Sequence, residues 1–530
     1  MQDATLAVLN AKVHTLNSKQ PTAEAIAIQN KRIIAVGTNT DINKYISNRT
    51  KLVDARGKMV IPGLVDCHVH MTGFGQTLEK LDLRNTASIK EIQRKLKNYA
   101  EKNPKATWIL GEGWDQDRLA EKRYPNRWDI DAAVADKPVF LFRVCGHIGV
   151  ANTKALELAG ITNKKGAEAT NADSEETSRQ PDGILRENAL QIVRNAIPKL
   201  DKKNLEKACL TACKMAIKEG LACVHWILRS PEETRILQKL HSEGKLPLRI
   251  YLGIPVELLD KLVDLGLTTG FGNDMIKIGF IKILADGSLG GHTAALKKAY
   301  HDKPTTYGIM LYAQEKLNML VSKAHRAGLQ LAVHAIGDRA AEAVLDAFEK
   351  ALSEEPRENH RHRIEHCSVV NPEIIMRMKL LGLIASVQPH FVVSDWWMVD
   401  RVGKERVRWV YPFKSFINQG LTVVSGSDCP VDPISPVLGI WATVTRRDFA
   451  GERLSVEEAL KTYTLNAAYA SFDENKKGMI EPGKLADITI LSADLFEVPP
   501  DEIRNVRAEM TIVDGKIVYA TKEFSGQFSA

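Results

Sequence analysis

The stretch LVDCHVH, residues 64–70, places two histidines two positions apart at the end of an apolar segment. In an extended strand successive side chains point to opposite faces, so His68 and His70 share one face while Cys67 and Val69 share the other. Two imidazoles on one face can reach a single metal ion. An isolated pair of this kind is more often structural, so its meaning depends on what the rest of the chain supplies.

Composition narrows the class of protein. The chain has 530 residues, of which 44% are hydrophobic and 26% charged, and this is long enough for a barrel with additional domains. The 72 Lys and Arg are interleaved with 65 Asp and Glu, so no basic block marks a nucleic-acid surface. Signal-peptide and membrane-spanning patterns are missing, and the seven cysteines include no C-x-x-C pair. We therefore expect a cytoplasmic protein without nucleic-acid or membrane partners.

Eight β-rich segments alternate with helical patterns along the middle of the chain. LVDCHVH is the first, and the others are GLACVHWIL (220–228), LRIYLGI (248–254), MIKIGFIKILADG (275–287), LQLAVHAIGD (329–338), RHRIEHCS (361–368), LIASVQPH (383–390) and LTVVSGSDCP (421–430). Alternation of this kind favours parallel strands with crossover helices, and eight of them favour a closed (β/α)8 barrel within residues 61–475. A doubly wound open sheet is the alternative.

The two ends of the chain both consist of short strand-like runs. Residues 1–60 alternate in strand fashion, and within residues 476–530 the pair Asp514-Gly515 between two β-rich runs predicts a hairpin. We infer one small β-sandwich built from both termini. The interval 71–215 is too long for one strand-to-helix connection, and we interpret it as an insertion after the first barrel strand.

Residues able to bind a divalent metal stand at the ends of five of the eight predicted strands. Barrel enzymes build their active sites at these carboxyl ends. The residues are His68 and His70 on the first strand, Lys282 on the fourth, His334 on the fifth, His366 on the sixth and Asp428 on the eighth. Their common location indicates one site.

The motifs VIPGLVDCHVH, HAIGD, RIEHC, SGSDCP and GMIEPGKLADITIL, in this order, resemble the metal-dependent amidohydrolase superfamily. The segments GEGWDQDRL, FRVCGHIGVANTKAL, PDGILRENA and KILADGSLG resemble more narrowly its amidohydrolase 3 branch, which includes N-substituted formamide deformylases. The resemblance covers nearly the whole chain.

The resemblance implies a ligand set for one or two divalent ions. His68 and His70 would bind the more buried ion together with Asp428, and His334 and His366 would bind the second. Lys282 would be carboxylated by CO2 to a carbamate that bridges two ions, and an ordinary ion-pairing lysine is the alternative. We take zinc as the default metal, with manganese, iron and cobalt as alternatives.

The predicted function is hydrolysis of a non-peptide, amide-like C–N bond in a small molecule. A metal-activated hydroxide would attack the carbonyl carbon, with Asp428 as general acid and base. Trp114, His147 and His390 are the predicted substrate contacts. Ester or lactone hydrolysis and deamination need the same machinery, and a catalytically silent scaffold is the alternative from another class. The complete ligand set favours an enzyme. The resemblance also implies self-association, with a homodimer and a larger assembly both left open.

Overall fold

The computed structural model describes residues 3–78, 80–104, 106–146, 148–161, 181–198 and 201–526. Within these ranges two compact units are present, one formed by residues 1–72 together with 209–530 and the other by residues 73–208. Among the described residues, no helix has both the length and the apolar character needed to cross a bilayer.

Eight neighbouring strands form the barrel sheet of the larger unit, and each paired neighbour runs parallel. The strands are Leu64–Val69, Leu221–Ile227, Arg249–Pro255, Ile276–Leu284, Gln330–Ala335, Arg363–His366, Ile384–Val387 and Thr422–Ser425. Seven fall within the predicted segments, and the third extends one residue beyond its segment, to Pro255. The predicted (β/α)8 barrel is therefore confirmed, and the open doubly wound sheet is excluded.

Helices lie between the barrel strands along the chain and also follow the last of them. They are Lys202–Lys218, Pro231–Ser242, Leu259–Asp264, Gln314–Arg326, Asp338–Glu354, Pro372–Leu380, Phe391–Ser394, Met398–Val402, Phe413–Asn418, Pro436–Thr445, Val456–Thr462 and Leu465–Ala470. Their apolar faces cover the sheet: for example, Cys67 on the first strand packs with Val424 and with Ala467 and Ala470 of the last helix. Outward-facing strand residues are buried by this layer, so inward-facing polar residues are left to line the barrel.

Both chain ends contribute to a β-sandwich in the same unit. One sheet contains Leu6–Leu9, Ala25–Gln29, Arg32–Gly37 and Lys51–Asp54, and the other contains Lys12–His14, Thr22–Ala23, Met59–Pro62, Ile488–Leu491, Ala508–Val513 and Lys516–Ala520. Short helices Asn39–Asn43 and Lys522–Ser525 flank them. Buried Val8 and Ile28 share one apolar cluster with Ile488 and Ile512, so residues more than 400 positions apart form one core.

The predicted hairpin at Asp514-Gly515 is present. Both residues have positive φ, 55° and 73°, which is the geometry of a two-residue turn with the twist of the flanking strands. Val513 and Lys516 are register partners across it.

The second unit, residues 73–208, has its own mixed sheet. Its strands are Leu81–Asp82, Ile109–Trp114, Val139–Arg143, Ile148–Ala151 and Ile184–Arg186. Helices Ile89–Lys102, Arg127–Asp131, Thr153–Leu158 and Glu187–Ala196 accompany them, and Met71–Thr77 leads into the unit. Apolar side chains of Ile92, Leu96, Trp114 and Leu141 form a core without the barrel. The interval interpreted as an insertion is thus largely one compact body.

Candidate metal centre

The first and eighth barrel strands bring three potential ligands together. The Nε2 atom of His68 lies 3.4 Å from Oδ1 of Asp428, and Nε2 of His70 lies 3.2 Å from the same oxygen. One ligand atom from each residue falls within 4.8 Å of the other two. His68 is buried and His70 is half-buried. Two imidazoles and a carboxylate at this spacing can hold one divalent ion.

The other three predicted ligands join this group through His68. Nζ of Lys282 is 3.3 Å from Nε2 of His68. The His366 ring lies 4.9 Å from the His68 ring, centroid to centroid, and the His334 ring lies 4.4 Å from that of His366. Side chains from five strands therefore form one continuous cluster at the carboxyl ends of the strands.

In three of the imidazoles one ring nitrogen is hydrogen-bonded to an acceptor, which leaves the other nitrogen available to bind a metal. Nδ1 of His68 contacts the Glu365 carboxylate, and Nδ1 of His366 is 2.7 Å from the side-chain oxygen of Gln388. Nε2 of His334 is 3.0 Å from the carbonyl oxygen of Gly287. Because an acceptor of this kind takes a ring N–H, the remaining nitrogen keeps its lone pair. This arrangement fits imidazoles that ligate a metal.

Burial and nearby charges set the ionisation of the cluster. Burial lowers the pKa of Lys282 to about 8, so a larger fraction of the amine is neutral near physiological pH than in an ordinary lysine, although the ammonium form still predominates. Burial likewise lowers the pKa of His70 to about 4. Burial opposes ionisation of Asp428, but its contacts with His68 and His70 prevail and hold its pKa well below the usual range. An ionised carboxylate therefore faces a neutral His70.

Two ligand candidates occupy the left-handed region of backbone space. His366 has φ of 72° and Asp428 has φ of 56°. For residues with a Cβ such conformations cost about 1–3 kcal/mol each and are concentrated at functional sites. At His366 the turn ends the strand alternation, so that Glu365 and His366, although consecutive, both contact His68.

Gly426 permits the close approach of the eighth strand to the first. A Cβ atom on Gly426 would stand 2.4 Å from the backbone nitrogen of His68 and 2.7 Å from its Cβ. Any side chain there would push the strand end away from His68. The glycine of the SGSDCP motif is thus explained by the approach that brings Asp428 to the histidines.

Glu365 is a site residue that the sequence did not single out. It is fully buried and contacts His68, and Arg363 donates to it from two residues earlier on the same strand. Burial alone would raise the pKa of Glu365, but the positive charge of Arg363 and the hydrogen bond with His68 hold it well below its usual value. The only sequence signal was its place beside His366 in RIEHC.

The predicted substrate contacts lie in different settings. His390 is partly exposed after the seventh strand, with its Nδ1 atom 3.0 Å from Oδ2 of Asp432. Trp114 is fully buried in the core of the second unit and donates its indole N–H to the carbonyl oxygen of Leu141. His147 lies outside the described residues. Substrate-binding roles for all three stay predictions.

Comparison with known proteins identifies the family. The sequence profile described as the amidohydrolase family matches residues 51–519, which is most of the chain. The chain belongs to the amidohydrolase family. The family resemblance predicted from the strand-end motifs is therefore confirmed.

Individual relatives match this amidohydrolase along nearly its full length. YtcJ of Bacillus subtilis is 32% identical over 524 residues, covering 96% of this chain and 98% of that protein. The N-substituted formamide deformylase of Arthrobacter pascens is 26% identical, covering 97% and 98%. The crystal structure of an uncharacterized metal-dependent hydrolase from Pyrococcus horikoshii superposes with a TM-score of 0.78 at 33% identity, covering 93% of this chain and 99% of that one.

Proposed function

We propose that this amidohydrolase is a metal-dependent hydrolase that cleaves a non-peptide, amide-like C–N bond in a small molecule. The observation that carries the proposal is the continuous cluster of His68, His70, Lys282, His366 and Asp428 with His334, located at the carboxyl ends of the barrel strands. Three of its imidazoles have one nitrogen held by an acceptor, as metal ligands require.

His68, His70 and Asp428 would hold the first ion, and His334 and His366 the second. A set of imidazoles and carboxylates without thiolates suits Zn, Mn, Fe or Co. Zinc is our default among these four metals. A divalent ion supplies a water-derived nucleophile at neutral pH and polarises the carbonyl oxygen of the substrate.

Lys282 would bridge the two ions after reacting with CO2. In that step the neutral amine nitrogen forms a bond to the carbon of CO2 and releases one proton, leaving an anionic carbamate. The lowered pKa of Lys282, about 8 because of burial, supplies the neutral amine that this reaction needs. A carbamate also removes the positive charge that an ammonium would place beside His68.

Asp428 would handle the proton during turnover. Its carboxylate, ionised because its pKa is held well below the usual range despite burial, accepts a proton from the attacking water and returns it to the departing nitrogen. The water oxygen bonds to the carbonyl carbon and the C–N bond breaks, so an acid and an amine are released.

Substrate class and setting complete the proposal. The deformylase among the relatives supports N-substituted formamides as the first compounds to test. His390, oriented by Asp432, would contact the substrate beside the metal centre. None of the seven cysteines, all within the described ranges, forms a disulfide, which suits a cytoplasmic protein. We expect the chain to self-associate, as a homodimer or a larger assembly.

The test measures metal content and amine release together. Protein purified without chelator should contain about two ions per chain and release amine from N-substituted formamides. Chelation should abolish the reaction, and Zn, Mn or Co should restore it. His70→Asn should lose metal and activity, whereas the matched His360→Asn variant should keep both, because His360 bonds to the Leu381 carbonyl outside the cluster.

Other outcomes would replace the proposal. Cleavage of matched esters or lactones with no cleavage of amides would make the protein an ester hydrolase, and ammonia release from a ring amine would make it a deaminase. Failure to take up any of the metals would favour the silent scaffold.

A further inference from the structure

A buried ion pair lies directly beneath the metal centre. Nε of Arg363 donates to Oε1 of Glu365 over 2.7 Å, and both side chains have zero exposure. The hydroxyl of Ser386 donates to the second carboxylate oxygen, Oε2, over 2.8 Å. The same Oε2 atom contacts Nδ1 of His68. The Glu365 carboxylate therefore contacts three side chains, and one of them, His68, is a predicted metal ligand.

Arg363 is held just as tightly as its partner. Its Nη2 atom donates to the carbonyl oxygen of Cys67 over 2.8 Å, and its Nη1 atom lies 2.8 Å from Nδ1 of His225. Its guanidinium also stands over the ring of Phe280, 4.5 Å from the centroid. These contacts reach the first, second and fourth strands from the sixth, so the arginine cannot shift without disturbing the barrel interior.

We propose that Glu365 is the positioning residue of the metal centre, and that Arg363 holds it in place. The carboxylate accepts a hydrogen bond from Nδ1–H of His68. The lone pair of the ring therefore lies on Nε2, which faces Asp428 and Lys282. Arg363 supplies the positive charge without which a carboxylate in the barrel interior would be strongly destabilised. This inference rests on the proposed function, because it assigns the pair a role in metal binding.

The alternative is a purely structural ion pair. Buried Arg–carboxylate pairs occur in proteins without any catalytic role, and removing one partner then costs stability alone. This chain contains a matched example. Arg249 donates to both oxygens of Asp487 over 2.6 and 2.9 Å, with both side chains nearly as buried, but Asp487 contacts none of the cluster residues. Asp487→Asn is therefore the control.

The experiment measures the dissociation constant of Co²⁺ for Glu365→Gln, by competition with a chelator, beside wild type and Asp487→Asn. Glutamine keeps the size of the side chain but removes its charge. We expect Co²⁺ binding about 10- to 100-fold weaker in Glu365→Gln, as found when outer partners of metal-binding histidines are removed. The visible spectrum of bound Co²⁺ should also change, because the His68 ring is no longer fixed. Asp487→Asn should lower the unfolding midpoint without altering either measurement.

A normal dissociation constant and spectrum in Glu365→Gln, with a lowered unfolding midpoint like that of Asp487→Asn, would overturn the positioning role. If Glu365→Gln does not fold, Ser386→Ala replaces it, since it removes the neutral donor to Oε2 and one acceptor of Arg363 while leaving the Arg363–Glu365 pair in place. That variant should bind Co²⁺ more weakly than wild type, and unchanged binding would overturn the proposal. Absence of metal uptake by the wild-type chain would instead overturn the proposed function itself.

Discussion

Asp66 and Ser427 join the two strands at which the barrel closes. Oδ1 of Asp66 accepts the backbone N–H of Ser427 over 3.0 Å, and Oδ2 accepts its hydroxyl over 2.5 Å. Next to them, the backbone N–H of Asp428 donates to the carbonyl oxygen of His68 over 2.7 Å. Closure of the barrel and assembly of the first three ligands therefore occur at one place.

Loss of the Asp66 carboxylate should destabilise this junction. Besides the two donors of Ser427, the backbone N–H of His68 donates to Asp66 over 3.0 Å. Asp66→Ala therefore leaves three donors without their acceptor. We expect a loss of about 1–3 kcal/mol in the free energy of unfolding, measured by urea denaturation of the metal-free protein. Ser427→Ala removes only a hydroxyl and should cost less. Equal losses in the two variants would contradict the prediction.

Lys282→Ala should change the metal stoichiometry. Without a bridging carbamate, metal content should fall from about two ions per chain toward about one, as determined by elemental analysis. The control is Lys277→Ala on the same strand, whose ammonium pairs with Asp473 rather than with the cluster, and it should keep both ions. One ion in wild type and both variants would remove the carbamate from the mechanism.

Asp428→Asn should act on turnover more than on folding. Asparagine keeps an oxygen near His68 and His70 but cannot carry a proton, so kcat should fall by about 10²- to 10⁴-fold. Steady-state kinetics on the metal-loaded variant, with its metal content verified, provides the measurement. Asp432→Asn, which loosens His390, should raise KM more than it lowers kcat. Wild-type kcat in a metal-loaded Asp428→Asn variant would assign the proton to another group.

Asp487→Asn should be among the more destabilising single changes outside the metal centre. Asp487 immediately precedes the β-sandwich strand Ile488–Leu491, and its carboxylate pairs with Arg249 of the third barrel strand. The ion pair therefore links the β-sandwich to the barrel within the larger unit. Removing one partner of a buried pair costs about 3–5 kcal/mol when the remaining charge is left unpaired. Arg249 keeps the Asp514 carboxylate at 3.0 Å, so the loss should lie below that range, with chemical denaturation as the measurement. Lys12→Met breaks the exposed pair with Glu497 and should change nothing measurable. An Asp487→Asn variant with the stability of wild type would show that folding does not need this ion pair.

Acid should destabilise the barrel through a histidine cluster at the opposite, amino-terminal end of the sixth strand. Nδ1 of His325 is 2.9 Å from Nε2 of His362, and burial lowers the pKa of His362 well below its usual value and that of His360 to about 4. Between pH 6.5 and about 4, His360 takes up a proton in the unfolded chain but stays neutral in the folded chain. Stability should therefore fall as pH falls through this window.

The measurement is the unfolding midpoint of metal-free protein between pH 4.5 and 7.5. In His360→Gln the slope should be shallower by up to one proton per molecule, because one titrating imidazole is gone. An unchanged slope in His360→Gln would place the acid sensitivity elsewhere.

Strand-level features of the chain were predictable from local pattern. Most barrel strands are apolar-rich runs followed by polar residues, and this signal needs no knowledge of the rest of the fold. The same holds for the hairpin at Asp514-Gly515, where the positive φ of both residues follows from local turn chemistry. Because parallel strands share an edge, the strand-end residues could be expected to meet.

Glu365 escaped prediction because strand alternation fails at the next residue. A regular strand would place Glu365 and His366 on opposite faces, but the φ of 72° at His366 brings both to His68. The partners of Arg363 also lie 138 and 296 residues away in the chain, and no periodicity encodes such pairings. For Trp114, its aromatic character alone did not distinguish a core position from a pocket wall.

The clustered side chains extend from residue 68 to residue 428, so a tight metal site exists only in a chain whose first and eighth strands have already met. An ion that binds the folded chain alone shifts the folding equilibrium by mass action, by about 2.7 kcal/mol when free metal is about 100 times its dissociation constant. The amount of folded protein that a cell accumulates should then follow the metal available during synthesis.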